Sequence, residues 1–316
     1  ATPPLSAPLT ATPPAAAFST APLAAVHLVT TTLPTASLTA SLATALATAS
    51  LGLLTGCGGG ASATPTVTYK AGDKSVDTGG GPVTQIDGTG TLSGTIRLVG
   101  TAPTPEVFVA KGTAKRDTNV CGAEVAIIDQ SLQVGEGNGI ANVFIYIDKA
   151  PPGAPIPAAP TAPAVFDQKG CVFLPHAMVV RSSQTVLIKS QDNAGHNTHT
   201  YPGRSRSFNG AIKALERDGV PLIYNKHERT PFPVKCDMHS WMQAFHLALD
   251  HPWGTITRAD GSFELKGLPA TELTLRVWHE KAGGRGGFLE RKLKVTIPKD
   301  GSATVDKEFQ LSDFGL

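Results

Sequence analysis

Residues 236–242 read CDMHSWM, which sets Cys236, His239 and Met242 at C-x2-H-x2-M spacing. A thiol, an imidazole and a thioether this close together are three donor groups that an apolar core does not require. Upstream, QDNAGHNTHTYP carries His196 and His199. His196 precedes Cys236 by forty residues, too far for a local finger but natural for two strands of one sandwich. Thiolate and thioether donors with two imidazoles select copper over magnesium, calcium or manganese. Two His and one Cys with a weak axial Met form an electron-transfer arrangement. Zinc is the competing reading, but a Met is a poor zinc ligand. His199 is a candidate fifth ligand that reads better as a strand residue, and Met238 reads as a spacer inside the loop. Four ligands leave no open position for a substrate, and no G-x-S-x-G, phosphate-loop or C-x-x-C-H pattern is present, so no enzyme is expected.

Such ligands need rigid strands to hold them. The 316-residue chain is long enough for one large or two modest cores. Only 16% of its residues are charged, while Gly (33) and Pro (25) are plentiful, which favours short strands and many turns. No long helical period is present, and the expected class is all-β. A net charge of +2 gives no global field to draw nucleic acid or an anionic membrane. Alternating apolar residues predict strands at GTLSGTIRLVG (Leu92, Ile96, Leu98) and ANVFIYID (Val143, Ile145, Ile147). CVFLPHAMVV, QTVLIKSQD and VPLIYNKH read as further strands, and AIKALERDG (211–219) as a short helix. MQAFHLAL puts Met242, Ala244, His246 and Ala248 on one face, and Gln243, Phe245, Leu247 and Leu249 on the other. Beyond His251, TITRADGSFELKGL reads as a hairpin about Asp260-Gly261, followed by strands at ELTLRVWHE, RKLKVTIP and TVDKEFQL.

Two resemblances follow from these residues. PHAMVVRSSQTVLIKSQDNAGHN followed by KCDMHSWMQAFHLAL resembles a cupredoxin of the amicyanin and plastocyanin family. The resemblance implies a Greek-key sandwich over 163–250 and one type 1 copper held by His196, Cys236, His239 and Met242. It also implies that Asn197 ties the two ligand loops and supports the Cys sulfur. His239 would be the ligand nearest the surface and, with Trp241, the electron-transfer face. ADGSFELKGLPATELTLRVWHE resembles a carboxypeptidase regulatory-like (transthyretin-like) sandwich over 251–316, with Leu273 where the pattern usually has an aromatic. The cupredoxin would be packed on this small sandwich or inserted into it. Residues 91–162 would supply N-terminal strands and a Pro-rich crossing.

Residues 1–56 contain no Lys, Arg, Asp or Glu, and Leu54-Thr55-Gly56-Cys57 resembles a bacterial lipobox. That resemblance implies an export signal, cleavage before Cys57 and lipid on its sulfur, with a Gly-rich linker over 57–90. A disordered low-complexity tail is the alternative. With Cys57 lipidated and Cys236 on the metal, Cys121 and Cys171 could pair in an oxidising compartment; two free buried thiols are the other possibility. The expected protein is exported, periplasmic or at the cell surface, and touches a membrane only through that anchor. Residues 200–235 carry seven Lys or Arg (Arg204, Arg206, Lys213, Arg217, Lys226, Arg229, Lys235) against three acids. If they rim the copper face, the partner is an acidic redox protein such as a c-type cytochrome. Copper delivery or storage, or a structural surface module with incidental copper, are the alternative functions.

Overall fold

The computed structural model describes residues 85–283 and 286–316. The export segment, Cys57 and most of the linker lie outside the described residues. Among the described residues eighteen strands run in chain order: β1 Thr89–Val99, β2 Val107–Val109, β3 Ile127–Ile128, β4 Phe144–Ile147, β5 Ala164–Lys169, β6 Val172–Leu174, β7 Ala177–Arg181, β8 Thr185–Ile188 and β9 His196–Thr200, then β10 Asn209–Ile212, β11 Val220–Ile223, β12 Phe232–Lys235, β13 Gln243–Leu249, β14 Gly254–Ile256, β15 Ser262–Pro269, β16 Glu272–Trp278, β17 Phe288–Thr296 and β18 Ser302–Gln310. The fold is all-β. Among the described residues no helix is long and apolar enough to cross a membrane.

The middle of the chain forms a cupredoxin-like β-sandwich. One sheet has the order β10-β9-β12-β13-β7 and the other β11-β8-β5-β6. Between them Phe166, Phe173, Val186, Ile188, Tyr224 and Val234 are fully buried. Strands from before and after it build a second sandwich, with sheets β15-β1-β18 and β14-β4-β16-β17. Its core contains Leu92, Ile96 and Leu98 of β1 and Leu273, Leu275 and Val277 of β16, the residues that the period of two selects. Val305 and Leu311 pack at its margin, and Phe309 is buried in it. The chain therefore leaves the second sandwich at β4 and re-enters it at β14, which pairs with β4.

Two strands explain how the sandwiches adhere. Met242, just before β13, and Ala244 and Ala248 within it belong to the first core, while Phe245, Leu247 and Leu249 form a separate cluster with Phe144, Tyr146, Trp278 and Phe288. Val143, just before β4, and Ile145 and Ile147 within it turn into the second core, and Phe144 and Tyr146 into the shared cluster. Both strands are apolar on both faces because both faces are covered.

Two expectations need correction. Residues 211–219 form no helix: Ala211 and Ile212 continue β10 against β9, and Leu215 has φ +55°. Ile212 is 1% exposed, so tertiary burial outweighs the local propensity of a segment too short to be helical alone. The Asp260-Gly261 turn is real, but it joins no hairpin, since β14 pairs with β4 and β15 pairs with β1. Asp260 accepts bonds from Ser262 N (2.9 Å) and Oγ (2.6 Å). Gly261 has φ +75°, and a Cβ there would sit 2.2 Å from the Ile96 carbonyl oxygen. These contacts fix a chain reversal without fixing which sheet receives the next strand.

Candidate metal centre

β9 delivers His196, and the turn between β12 and β13 delivers Cys236, His239 and Met242. Because β12 pairs with both β9 and β13, the two ligand segments are strand neighbours despite their distance in sequence. The turn closes on itself through Met242 N–H to the His239 carbonyl (2.9 Å) and Cys236 N–H to the Met242 carbonyl (3.2 Å).

Donor atoms of His196, Cys236 and His239 lie within 4.8 Å of one another, all buried. The Nδ1 atoms of His196 and His239 are 3.1 Å apart, and Cys236 Sγ is 3.7 Å from His239 Nδ1. Met242 is 1% exposed and packs in the same core cluster as Cys236. Met238, by contrast, is 40% exposed.

Both imidazoles are held from behind. His196 Nε2 lies 2.9 Å from Asp192 Oδ2, and His239 Nε2 lies 3.0 Å from Asp117 Oδ2. Each carboxylate takes the remote N–H and turns Nδ1 toward the sulfur. Burial alone would raise the Cys236 thiol, but bonds from His196, His239 and the Asn197 and Met238 amides bring it down to about 6. Burial alone would lower His196, yet Asp192 and Cys236 raise it to about 9. The shifts favour a thiolate beside a protonated imidazole, and a bound cation would take the place of the proton they share. A buried Cys sulfur beside two oriented imidazoles, with Met242 closing the same turn, fits copper.

Asn197 bonds across the two loops: its Oδ1 accepts from Asp237 N at 2.6 Å, and its Nδ2 donates to Asp237 Oδ2 at 2.8 Å. Its support of the sulfur comes through its backbone amide. His199 lies three residues beyond His196, hence on the opposite face of β9. It bonds Tyr201, Asn209 and Asp237 and stays away from the donor set.

His239 does not reach the surface. It is 0% exposed, because the segment between β2 and β3 lies over it and presents Asp117 to its outer nitrogen. Cys121 of that segment is disulfide-bonded to Cys171, with Cα atoms 5.1 Å apart. The bonded sulfurs lie within 4.8 Å of a His239 nitrogen. Asp192 accepts from Cys171 N (2.9 Å) as well as from His196, so disulfide and ligand share one anchor. Trp241 donates Nε1–H to the Cys171 carbonyl at 3.0 Å, and its ring centroid is 5.3 Å from that of His239. It is half-buried, and shares a pocket with Lys115, Arg116 and Met238. Of the basic residues expected at the rim, Lys235 ends β12 next to Cys236, while Arg204 and Arg229 stand elsewhere. Arg204 bonds the His227 carbonyl and Arg229 lines a pocket with Asp148 and Asp250, beyond the far end of β13. The cations beside Trp241 are Lys115 and Arg116, which the sequence reading did not single out.

No family model matches the chain, and no curated protein matches it. Solved structures do. Amicyanin from Paracoccus versutus is 14% identical over 33% of this chain and 96% of its own, with a TM-score of 0.24. A purple cupredoxin from Nitrosopumilus maritimus is 13% identical over 27% of this chain and 98% of its own (TM-score 0.23). A copper-containing nitrite reductase from Thermus scotoductus SA-01 is 14% identical over 29% of this chain, with a TM-score of 0.25. The chain spans only 27% of that reductase's length. These structural neighbours are cupredoxins, and each likeness is confined to a third of the chain or less.

Proposed function

We propose that this protein is an exported type 1 copper protein that carries single electrons between redox partners. The reading rests on one observation, the Cys236 sulfur enclosed by the donor nitrogens of His196 and His239, each ring anchored through Nε2 by a carboxylate. Copper bound there, with Met242 as weak axial ligand, would supply a one-electron couple. The chain holds the ligands in place: both rings are locked from behind, the sulfur takes two backbone amides, and the turn is closed by its own hydrogen bonds. Such rigidity keeps rearrangement small when the charge changes. Four ligands from the chain leave no position for a substrate, which favours a carrier over an enzyme.

Enclosure disfavours the delivery reading, since both histidines and the cysteine are buried beneath a disulfide-tethered segment. The same disulfide supports an oxidising compartment and with it export of the chain; lipid attachment at Cys57 rests on the lipobox-like Leu54-Thr55-Gly56-Cys57. With His239 capped, electrons leave through Trp241, and an acidic partner such as a c-type cytochrome docks beside Lys115 and Arg116. The second sandwich, a transthyretin-like module in this reading, carries no chemistry of the copper couple and holds the copper unit rigid.

An absorption spectrum of the copper-loaded protein tests the centre. An intense visible thiolate-to-copper band is expected, and Cys236→Ser should abolish it. Equal colour in that variant would overturn the assignment.

A further inference from the structure

A second cluster of donors lies where β13 ends and the two sandwiches meet. His227 comes from the loop between β11 and β12, Asp250 and His251 from the end of β13, and Asp148 from the end of β4. Donor atoms of His227, Asp250 and His251 lie within 4.8 Å of one another. His227 Nδ1 is 3.0 Å from Asp250 Oδ1, and His227 Nε2 is 3.8 Å from Asp148 Oδ1.

The second observation is a shortage of partners. Among the described residues eight buried side-chain atoms lack a hydrogen bond, and three of them are Asp148 Oδ1, His227 Nε2 and His251 Nε2. Buried polar atoms are rarely left unpaired, and a cluster of them asks for an unseen partner. His251 is 0% exposed, and its Nδ1 already faces the Trp253 amide at 3.3 Å. The neighbouring cations are engaged elsewhere: Arg181 bonds the Asp250 carbonyl, Arg204 the His227 carbonyl, and Arg276 the other oxygen of Asp148. Lys149 and Arg229 line the same pocket and weaken it for any ion bound by charge alone, so imidazole nitrogens must do the ligating.

We propose that His227, His251 and Asp250, with Asp148 beside them, form a second metal site that takes a divalent ion of the zinc class and clips the two sandwiches together. The donor set is two imidazoles and carboxylate oxygen with no sulfur, which suits zinc, nickel or copper(II) and not calcium or magnesium. Burial holds His251 down to about 4, so its ring is neutral at pH 7; ligation through the unpartnered Nε2 moves the ring proton to Nδ1 and releases the 3.3 Å contact with the Trp253 amide. Asp148 follows β4 of the second sandwich while His227 precedes β12 of the first, so an ion here bridges strands that share no ladder.

Zinc alone is the probe, titrated into copper-loaded protein and into Cys236→Ser, which lacks the thiolate of the first centre. One zinc per chain is expected in both, so the outcome does not depend on the copper reading. His227→Ala and Asp250→Asn, both at solvent-accessible positions, should each weaken it by at least about tenfold. Cobalt(II) in the same site should show ligand-field bands without thiolate charge transfer. Absence of zinc binding in Cys236→Ser, or binding unchanged by both His227→Ala and Asp250→Asn, would overturn the proposal.

Discussion

His239 Nε2 lies 3.0 Å from Oδ2 of Asp117, a residue 122 positions earlier in the chain. With Nδ1 turned to the sulfur, Nε2 carries the proton and donates it. The carboxylate therefore makes the ring a stronger donor and favours the more highly charged metal. Asp117→Asn should raise the reduction potential, measured by voltammetry, and weaken copper binding by about 10–100-fold. An unchanged potential would make Asp117 a cap and nothing more.

Met242→Leu should keep the visible band, because the sulfur that gives rise to it is still present. The potential should rise as the axial thioether is lost. Loss of colour in this variant would place Met242 in the strong plane of the site.

The disulfide closes a loop of fifty residues. Its removal by Cys121→Ser with Cys171→Ser should cost about 2–5 kcal/mol in urea unfolding. Copper should also pass faster to an external chelator, since the segment bearing Asp117 would be freed. Retention of the wild-type transfer rate would show that β2 and β3 hold the cap unaided.

Burial holds His246 and His279 down to about 3. The unfolded chain protonates both below about pH 6.5, while the folded chain binds neither proton until about pH 3. Their contribution is fully present above pH 6.5 and is lost as pH falls toward 3, at up to roughly 3 kcal/mol per pH unit for the pair. His279→Phe should remove about half of that slope between pH 6 and pH 4, read from urea midpoints. An unaltered slope would assign acid sensitivity to other groups.

Reversal of Lys115 and Arg116 to Glu should slow electron transfer to an acidic cytochrome at low salt. Reversal of Arg204 and Arg206 to Glu should have the smaller effect, since Arg204 sits beside His227 at the other end of β13. The wild-type rate should fall as the screening length drops from about 30 Å at 0.01 M salt to about 10 Å at 0.1 M. Greater sensitivity at Arg204 and Arg206 would move the docking face.

What the sequence displays is what residue type and short spacing can encode. Cys236, His239 and Met242 share one turn, and the alternation in β13 separates the face toward Met178 and Val180 from that toward Trp278. The strand residues Leu273, Leu275 and Val277 likewise declare their buried side. Asp117 carries no such signal: an acid followed by TNVC matches many exposed turns, and only the fold brings it over His239. Asp260-Gly261 announces a reversal, but sheet assignment depends on β4 and β1, which lie more than a hundred residues away. Arg204 and Arg229 are basic wherever they stand, and their position was set by β12 and by Tyr146, whose hydroxyl donates to the Arg229 carbonyl at 2.8 Å.

The departure of the chain at β4 and its return at β14 impose an order of events during synthesis. β1 and β4 emerge first, with apolar faces that are covered only by β14 to β18, which come last. Until then the nascent chain carries two unpaired apolar strands, a liability for aggregation. The intervening sandwich has its ends side by side, because β4 and β14 are ladder partners. When it folds, it shortens the distance between the two halves of its host from that of a hundred-residue coil to one strand spacing of about 4.8 Å. The inserted sandwich is then the assembly jig of the module that carries it, and a lesion that delays its closure should first be felt as insolubility of the whole chain.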